Sequence, residues 1–416
     1  MIIFDYFGLF CLVKRENEVK KSLYGRDFIL ASCAYFFVFL SIAVFYLFPL
    51  YLDQFQPSGS RVGLIMGIHS FTAIMVRPFF GRVLDKQGGR KVAMVGILII
   101  MLSIPGFFLV ESAGWLALVL RAVNGIGWGV GTTALMAICS ELSPPEKMAH
   151  SLGIIGAAGI VAGAAGPMLA EEVFRRYDFH AVFVVGIVTA LASLACIFAI
   201  REEPRGAVRR SAVSFSNIRR HSFVILAIIA VMPVAHGAAR GAVLNFIALF
   251  GTSIGFDRIA PFFLVFSIAA ILTRLGIGDI SDRYGRKKII FPSAVMIGLN
   301  LFWIAGLHSY VWFLATGFIA GLGQGLIFPA LSTYVIDFLG RENKGLALGL
   351  YLSLFDLGMG LGSPLWGWVS DVAGYRLMYA IAGTLIVVLT IIFTLKAPGA
   401  SSSGKQHPTA GNSGLW

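Results

Sequence analysis

The chain has 416 residues; 57% are hydrophobic, only 13% are charged, and mean hydropathy is +0.83. A soluble domain carries roughly 25% charged residues, so this balance excludes an ordinary soluble protein. The formal net charge is +12, but the basic residues fall between long apolar runs, which points to orientation in a lipid bilayer and not to nucleic acid.

Residues 1–27 open with a short apolar stretch that contains Asp5 and no small-residue cleavage site. They are read as a cytoplasmic segment and not as a cleaved signal peptide. A hydrocarbon core of ~30 Å needs about 20 helical residues to cross it. Six apolar runs of that order follow: Phe28–Leu52, Val62–Gly81, Val92–Val110, Gly114–Ser140, Met148–Glu171 and His180–Ile200. A polar stretch over 201–221, with Pro204, Gly206 and several arginines, reads as a cytoplasmic linker. Six more runs come after it: Ser222–Phe250, Ile259–Gly278, Lys288–Leu307, Tyr310–Ile336, Gly345–Val369 and Gly374–Lys396. Residues 397–416 are rich in Ser, Gly and Pro and are expected to be a disordered cytoplasmic tail. The predicted fold is an all-α membrane protein with twelve transmembrane helices, six in 28–200 and six in 222–396.

Alternate connections differ in charge. One set, with the termini, holds 24 lysines and arginines and the other only five: Arg61, Arg175, Arg176, Arg258 and Arg376. The positive-inside rule places both termini in the cytoplasm.

The two halves repeat one another. Gly81-Arg82-Val83-Leu84-Asp85-Lys86-Gln87-Gly88-Gly89-Arg90-Lys91 returns as Gly278-Asp279-Ile280-Ser281-Asp282-Arg283-Tyr284-Gly285-Arg286-Lys287-Lys288, 197 residues later. Arg77 and Arg274 stand one helical turn before each copy. Asn124–Gly129 parallels Ala320–Gly325, Glu141 parallels Asp337, and Gly166-Pro167 parallels Ser363-Pro364. Parallel repeats of six spans are an architecture of secondary transporters.

These motifs resemble those of the major facilitator superfamily over about residues 28–396. Its loop signature, Gly-xxx-Asp-xx-Gly followed by basic residues, is complete at Gly278, Asp282, Gly285, Arg286 and Lys287. The first copy keeps Gly81, Asp85 and Gly88, but Gly89 stands where the family has an arginine, and Arg90 follows. Arg121, Gly125 and Gly127 match its span-four signature. The glycines of span five, ending at Gly166-Pro167, are similar to those of its exporters, with Ala162 replacing one glycine. The resemblance implies that Asp85 caps the start of span eleven and Asp282 that of span five. Arg90 and Arg286 are placed to pair with Glu141 and Asp337. Together these residues would latch the cytoplasmic side; the plainer reading is that the basic residues only anchor loops.

Polar groups inside the spans each need an explanation. Asp356, near the middle of span eleven, can bind and release a proton, hydrogen-bond a neighbouring helix, or touch substrate. The resemblance gives Arg121 a part in proton coupling or substrate binding; an interhelical ion pair is the alternative. Arg240 and His236 share a face of span seven, and His69 lies in span two; packed, hydrogen-bonded histidines are the plain reading. Glu171 and Glu172 are expected at a solvated helix end. Span one carries Tyr35, Phe36, Phe37, Phe39, Phe45, Tyr46, Phe48 and Tyr51 but no carboxylate before Asp53, which favours neutral or anionic organic substrates over cations. Cys11, Cys33, Cys139 and Cys196 form no CxxC, and no metal site is expected.

The expected function is secondary transport of a small organic molecule by alternating access across the inner membrane, by a monomer without a cofactor. A proton gradient is the expected drive, since no ATP-binding pattern is present, and efflux by antiport stands first, from the resemblance of span five to the exporters. Proton-coupled uptake of an organic acid and a non-transporting sensor are the alternatives. No nucleophile–base pair or HExxH suggests an enzyme.

Overall fold

The computed structural model describes residues 25–144, 147–201, 223–277, 285–340 and 344–397. Most of the expected N-terminal segment, linker and tail lies outside the described residues, as do Gly278 and Asp282. Every long element among the described residues is helical. We label them α1 (Arg26–Asp53), α2 (Gly59–Gln87), α3 (Gly89–Ser103), α4 (Trp115–Leu142), α5 (Met148–Arg176) and α6 (Phe179–Ala199). There follow α7 (Phe223–Ser253), α8 (Ala260–Ile277), α9 (Arg286–Ala305), α10 (Tyr310–Leu339) and α11 (Lys344–Lys396). Ten of these helical segments are long and apolar enough to cross a membrane, and Ala260–Leu275 is a shorter apolar helix. The stretch expected to form the last two spans, α11, is two helices that meet at a kink at Gly374 (φ 77, ψ 165).

The helices start and stop where local chemistry requires. Ser58 caps α2 by accepting from the Arg61 amide at 3.2 Å, and Asp178 caps α6 by accepting from the Ala181 amide at 2.9 Å. Gly88 separates α2 from α3 at φ 104, ψ 145, and Gly285 opens α9 at φ 92, ψ 142. These are the third fixed positions of the two loop motifs. Both take the same backbone turn, in a region that side chains avoid.

The elements have two ends. α1 begins and α11 finishes at one, here the proximal end, where the Arg201 amide approaches Asp27 and the Lys287 ammonium donates to the Ala397 carbonyl. α2 and α8 begin at the other, distal end.

Close packing uses small residues, as expected where dispersion and shape must hold apolar helices together. A Cβ added at Gly125 of α4 would lie 2.2 Å from the His69 carbonyl of α2, and one at Gly129 2.6 Å from the Ala73 carbonyl. The same pattern recurs later in the chain: a Cβ added at Gly321 of α10 would lie 2.1 Å from the Phe266 carbonyl of α8, and one at Gly325 3.0 Å from the Ala270 carbonyl. A Cβ added at Gly127 would lie 2.7 Å from the Gly96 carbonyl of α3, and one at Gly166 2.4 Å from the Ala43 Cβ of α1; Pro167 lies inside α5. α2 lies along α11 through Gly63 and Gly67, where an added Cβ would come within 2.2 Å of the Ser363 carbonyl and 2.5 Å of the Gly360 carbonyl. The outward faces carry exposed Leu102, Leu109, Leu275 and Leu395, each at least 70% accessible. A lipid environment suits such a surface.

Candidate functional site

The interior of the helices holds few charges, and each has a defined surrounding. Arg77 of α2 donates through Nη1 to Oδ2 of Asp356 in α11, with both side chains less than one fifth exposed. Asp356 is thus a paired carboxylate. In the sequence, Arg77 stands out only as the residue one turn ahead of the loop motif. The two are 279 positions apart, so no local spacing could join them.

His236 of α7 is 1% exposed, and its Nε2 lies 2.7 Å from Oε1 of Gln324 in α10. Its ring meets Phe355 of α11 edge-on at 4.9 Å, beside Asp356. Gln324 was missed; it occupies the position that parallels Trp128. His69 is 7% exposed, and its ring lies 6.2 Å from that of Trp128. Nδ1 is buried without a hydrogen-bond partner in both histidines. Among the described residues, no three His, Cys, Asp or Glu side chains are grouped so as to hold a metal ion.

Two arginines expected at the site sit against aromatic rings. The Arg121 guanidinium of α4 lies 5.5 Å from the Phe45 ring centre and 6.0 Å from that of Phe48. Its Nε and Nη1 are buried without a partner. Arg240 of α7 lies 4.1 Å over Phe266. Tyr46 of α1, between Phe45 and Phe48 in the chain, packs on Phe263 of α8 at 5.7 Å.

At the proximal end, Arg286 Nε donates to Asp337 Oδ2 at 3.1 Å, joining α9 to α10, with both side chains mostly buried. Arg90 of α3 donates through Nη2 to the Phe198 carbonyl of α6 at 2.8 Å. Glu141 stands in the last turn of α4. Gly81 and Asp85 belong to the last turns of α2; the surroundings of the Asp85 side chain lie outside the described residues.

The distal end holds a feature that sequence reasoning missed. Glu171 was expected to be solvated, but it is 7% exposed and accepts from the amides of Ile259 (2.6 Å) and Ala260 (3.3 Å). It therefore caps the N-terminus of α8 from α5. Asp371 of α11 does the same for α2: it accepts from the amides of Gly59 and Ser60, the latter at 2.9 Å, and from the Ser60 hydroxyl. A carboxylate at a helix N-terminus meets unpaired amides and the positive end of the helix dipole. The two carboxylates are separated by 200 residues and the two helix starts by 201. Glu172 is the more open neighbour, paired with Arg176 at 2.7 Å.

Comparison with known proteins agrees with this architecture. The profile of the Major Facilitator Superfamily matches residues 28–291 and 262–413. The staphylopine export protein of Staphylococcus aureus is 25% identical over 369 residues, covering 84% of this chain and 90% of that protein. The uncharacterized MFS-type transporter YhhS of Escherichia coli is 28% identical over 374 residues, covering 83% and 87%. A homologue of the multidrug resistance efflux pump PmrA from Lactococcus lactis is 26% identical over 395 residues, covering 91% and 96%. The fold is shared with the nucleoside transporter NupG (TM-score 0.74, 15% identity, 89% of this chain and 100% of that one). It is also shared with the human organic anion transporter MFSD10 (TM-score 0.67, 15% identity, 88% and 99%).

Proposed function

The chain belongs to the Major Facilitator Superfamily, and on that footing we propose that it exports a small organic molecule in exchange for protons. It is a multi-pass membrane transporter and not an enzyme. The finer reading is twelve spans in two six-helix halves, 28–200 and 222–396. The length of α11 supports it: a straight helix of 53 residues would run about 80 Å at ~1.5 Å per residue, more than twice the apolar core. The break at Gly374 turns that length into two passes. The recurring glycine contacts of α2–α4 and α8–α10 support two equivalent halves. The excess of basic residues on the proximal connections supports cytoplasmic termini in the inner membrane. In this reading the chain acts as a monomer, the interior between the halves is the substrate path, and the proximal charges latch it: Asp85, Arg90 and Glu141 with Gly81 in one half, Asp282, Arg286 and Asp337 with Gly278 in the other.

The observation that carries proton coupling is the Arg77–Asp356 pair, which joins α2 to α11. Protonation of Asp356 cancels the pair and frees the two helices to separate; loss of the proton restores it. Export follows the two relatives named for it. The test is flux from proteoliposomes under an imposed pH gradient, with the substrate first found by untargeted profiling of medium from cells with and without the gene. Asp356→Asn should abolish gradient-driven flux but keep exchange of substrate at equal pH. Gradient-driven flux that survives the substitution rejects Asp356 as the proton site, and substrate that disappears from the medium in a gene-dependent way rejects export.

A further inference from the structure

We propose that the transported solute carries an acidic group, a carboxylate or a phosphate, and that Arg121 and Arg240 receive it from opposite halves of the protein. This deepens the transport reading and rests on it only in taking the space between the halves as the substrate path.

Four arginines lie within the helices away from the charged connections: Arg77, Arg121, Arg240 and Arg274. The one carboxylate placed among them is Asp356, and Arg77 holds it. Among the described residues, neither Arg121 nor Arg240 forms an ion pair. Arg121 is the more demanding case. It is 4% exposed, yet Nε and Nη1 have no acceptor. A guanidinium keeps its charge in a protein, and a buried charge without an acceptor is the costliest group an interior can hold. Phe45 and Phe48 lie near it at cation–π range but offer no lone pair for its N–H groups. Among the described residues nothing accepts from Nε and Nη1, which leaves them open to an acceptor from outside the chain.

Arg240 repeats the arrangement from the other half, its guanidinium over Phe266. The two sites are joined through rings: Tyr46 follows Phe45 in the chain and packs on Phe263, one helical turn before Phe266. The result is a lane from Arg121 on α4, past α1 and α8, to Arg240 on α7. Each end presents a forked donor suited to a carboxylate or phosphate, and the middle is aromatic. That chemistry fits an amphipathic acid: an anionic group for the arginines and an apolar or aromatic body for the rings. A cationic solute would meet two uncompensated positive charges.

The test is equilibrium binding to the purified full chain in a neutral detergent. The probes are N-acetylphenylalanine, its uncharged amide, and phenyl phosphate, with thermal unfolding as the readout. At least one acidic probe should raise the midpoint saturably, and the amide should not. Arg121→Gln and Arg240→Gln should each raise the half-saturating concentration at least tenfold, while Arg240→Lys retains part of the binding. An amide as effective as the acid, no saturable shift with either acidic probe, or unchanged half-saturation in both glutamine variants overturns the proposal. Arg240 is less buried than Arg121, so its variants keep the test open if Arg121→Gln does not fold. A last arm adds phosphatidylglycerol: competition with the acidic probe would assign the arginines to a lipid headgroup and overturn the solute assignment. Because no gradient is applied, the result is independent of the direction and coupling of transport.

Discussion

Asp356 and Arg77 are the residues at which electrostatics and stability are hardest to separate. Removing one partner of a buried pair leaves the other charge stranded, at a cost of about 3–5 kcal/mol. Asp356→Asn is therefore expected to lower stability as well as coupling, and lost flux in that variant alone is ambiguous. The double variant Arg77→Met, Asp356→Leu removes both charges. It should recover most of the stability, read by thermal unfolding, and still show no gradient-driven flux. Coupled flux in a stable double variant would reduce the pair to packing. A second residue-scale expectation concerns Gly285, whose added Cβ would meet nothing within 4 Å but whose φ is 92. Gly285→Ala should destabilise by about 1–3 kcal/mol through backbone strain alone. A neutral effect on the unfolding midpoint would mean that the turn relaxes. The sequence made Gly285 visible as a fixed motif position and Asp356 as a lone intramembrane carboxylate. Arg77 as its partner was out of reach, because the pairing depends on how α2 lies against α11.

At the scale of elements, the distal ends are held by two carboxylates that each cap a helix remote in the chain, Glu171 the start of α8 and Asp371 the start of α2. Capping is read from sequence by looking a few residues ahead of a helix, a procedure suited to local caps such as those the structure shows at Ser58 and Asp178. It fails for Glu171 and Asp371, whose amide partners are 88 and 312 positions away along the chain. Nothing near Glu171 distinguishes a solvated helix end from a buried one; only the approach of α8 does. Each cap combines charge-assisted hydrogen bonds with the dipole of the helix it meets. Asp371→Asn keeps the shape and removes the charge, so the α2–α11 contact should loosen at its distal end. In a background without the native cysteines, Ser370→Cys beside Gly59 should then react several-fold faster with an impermeant maleimide. Glu171→Gln should do the same for the α5–α8 contact and leave the Ser370→Cys rate unchanged. Equal rates with and without Asp371 would show that the glycine contacts alone hold α2 to α11.

For the whole molecule, the repeat that the loop motifs disclose recurs as contacts: Gly125 on α2 and Gly321 on α8, Glu171 on the start of α8 and Asp371 on the start of α2. In the proposed two-half reading, the first pair binds helices within a half and the second binds the halves together. This division yields a mechanical expectation. If transport rocks the halves as bodies, a bond across the distal contact must stop it, and a bond within one half must not. Ser60 and Asp371 hydrogen-bond through their side chains across the contact, so Ser60→Cys with Asp371→Cys brings two thiols together. Asn124 and Ser103 do so inside the first half, Nδ2 to Oγ at 3.2 Å, and Ser103→Cys with Asn124→Cys is the matching control. Oxidation with copper phenanthroline should cut flux through the first variant at least tenfold, and a reductant should restore it. The control should retain its flux under the same oxidation. The bond in the first pair also replaces the cap that Asp371 supplied, so its reduced form should transport with a weakened distal closure, and only the oxidised form should be arrested. Undiminished flux in the oxidised, verified cross-link would mean that the distal ends of α2 and α11 stay together throughout the cycle, and that the path opens elsewhere.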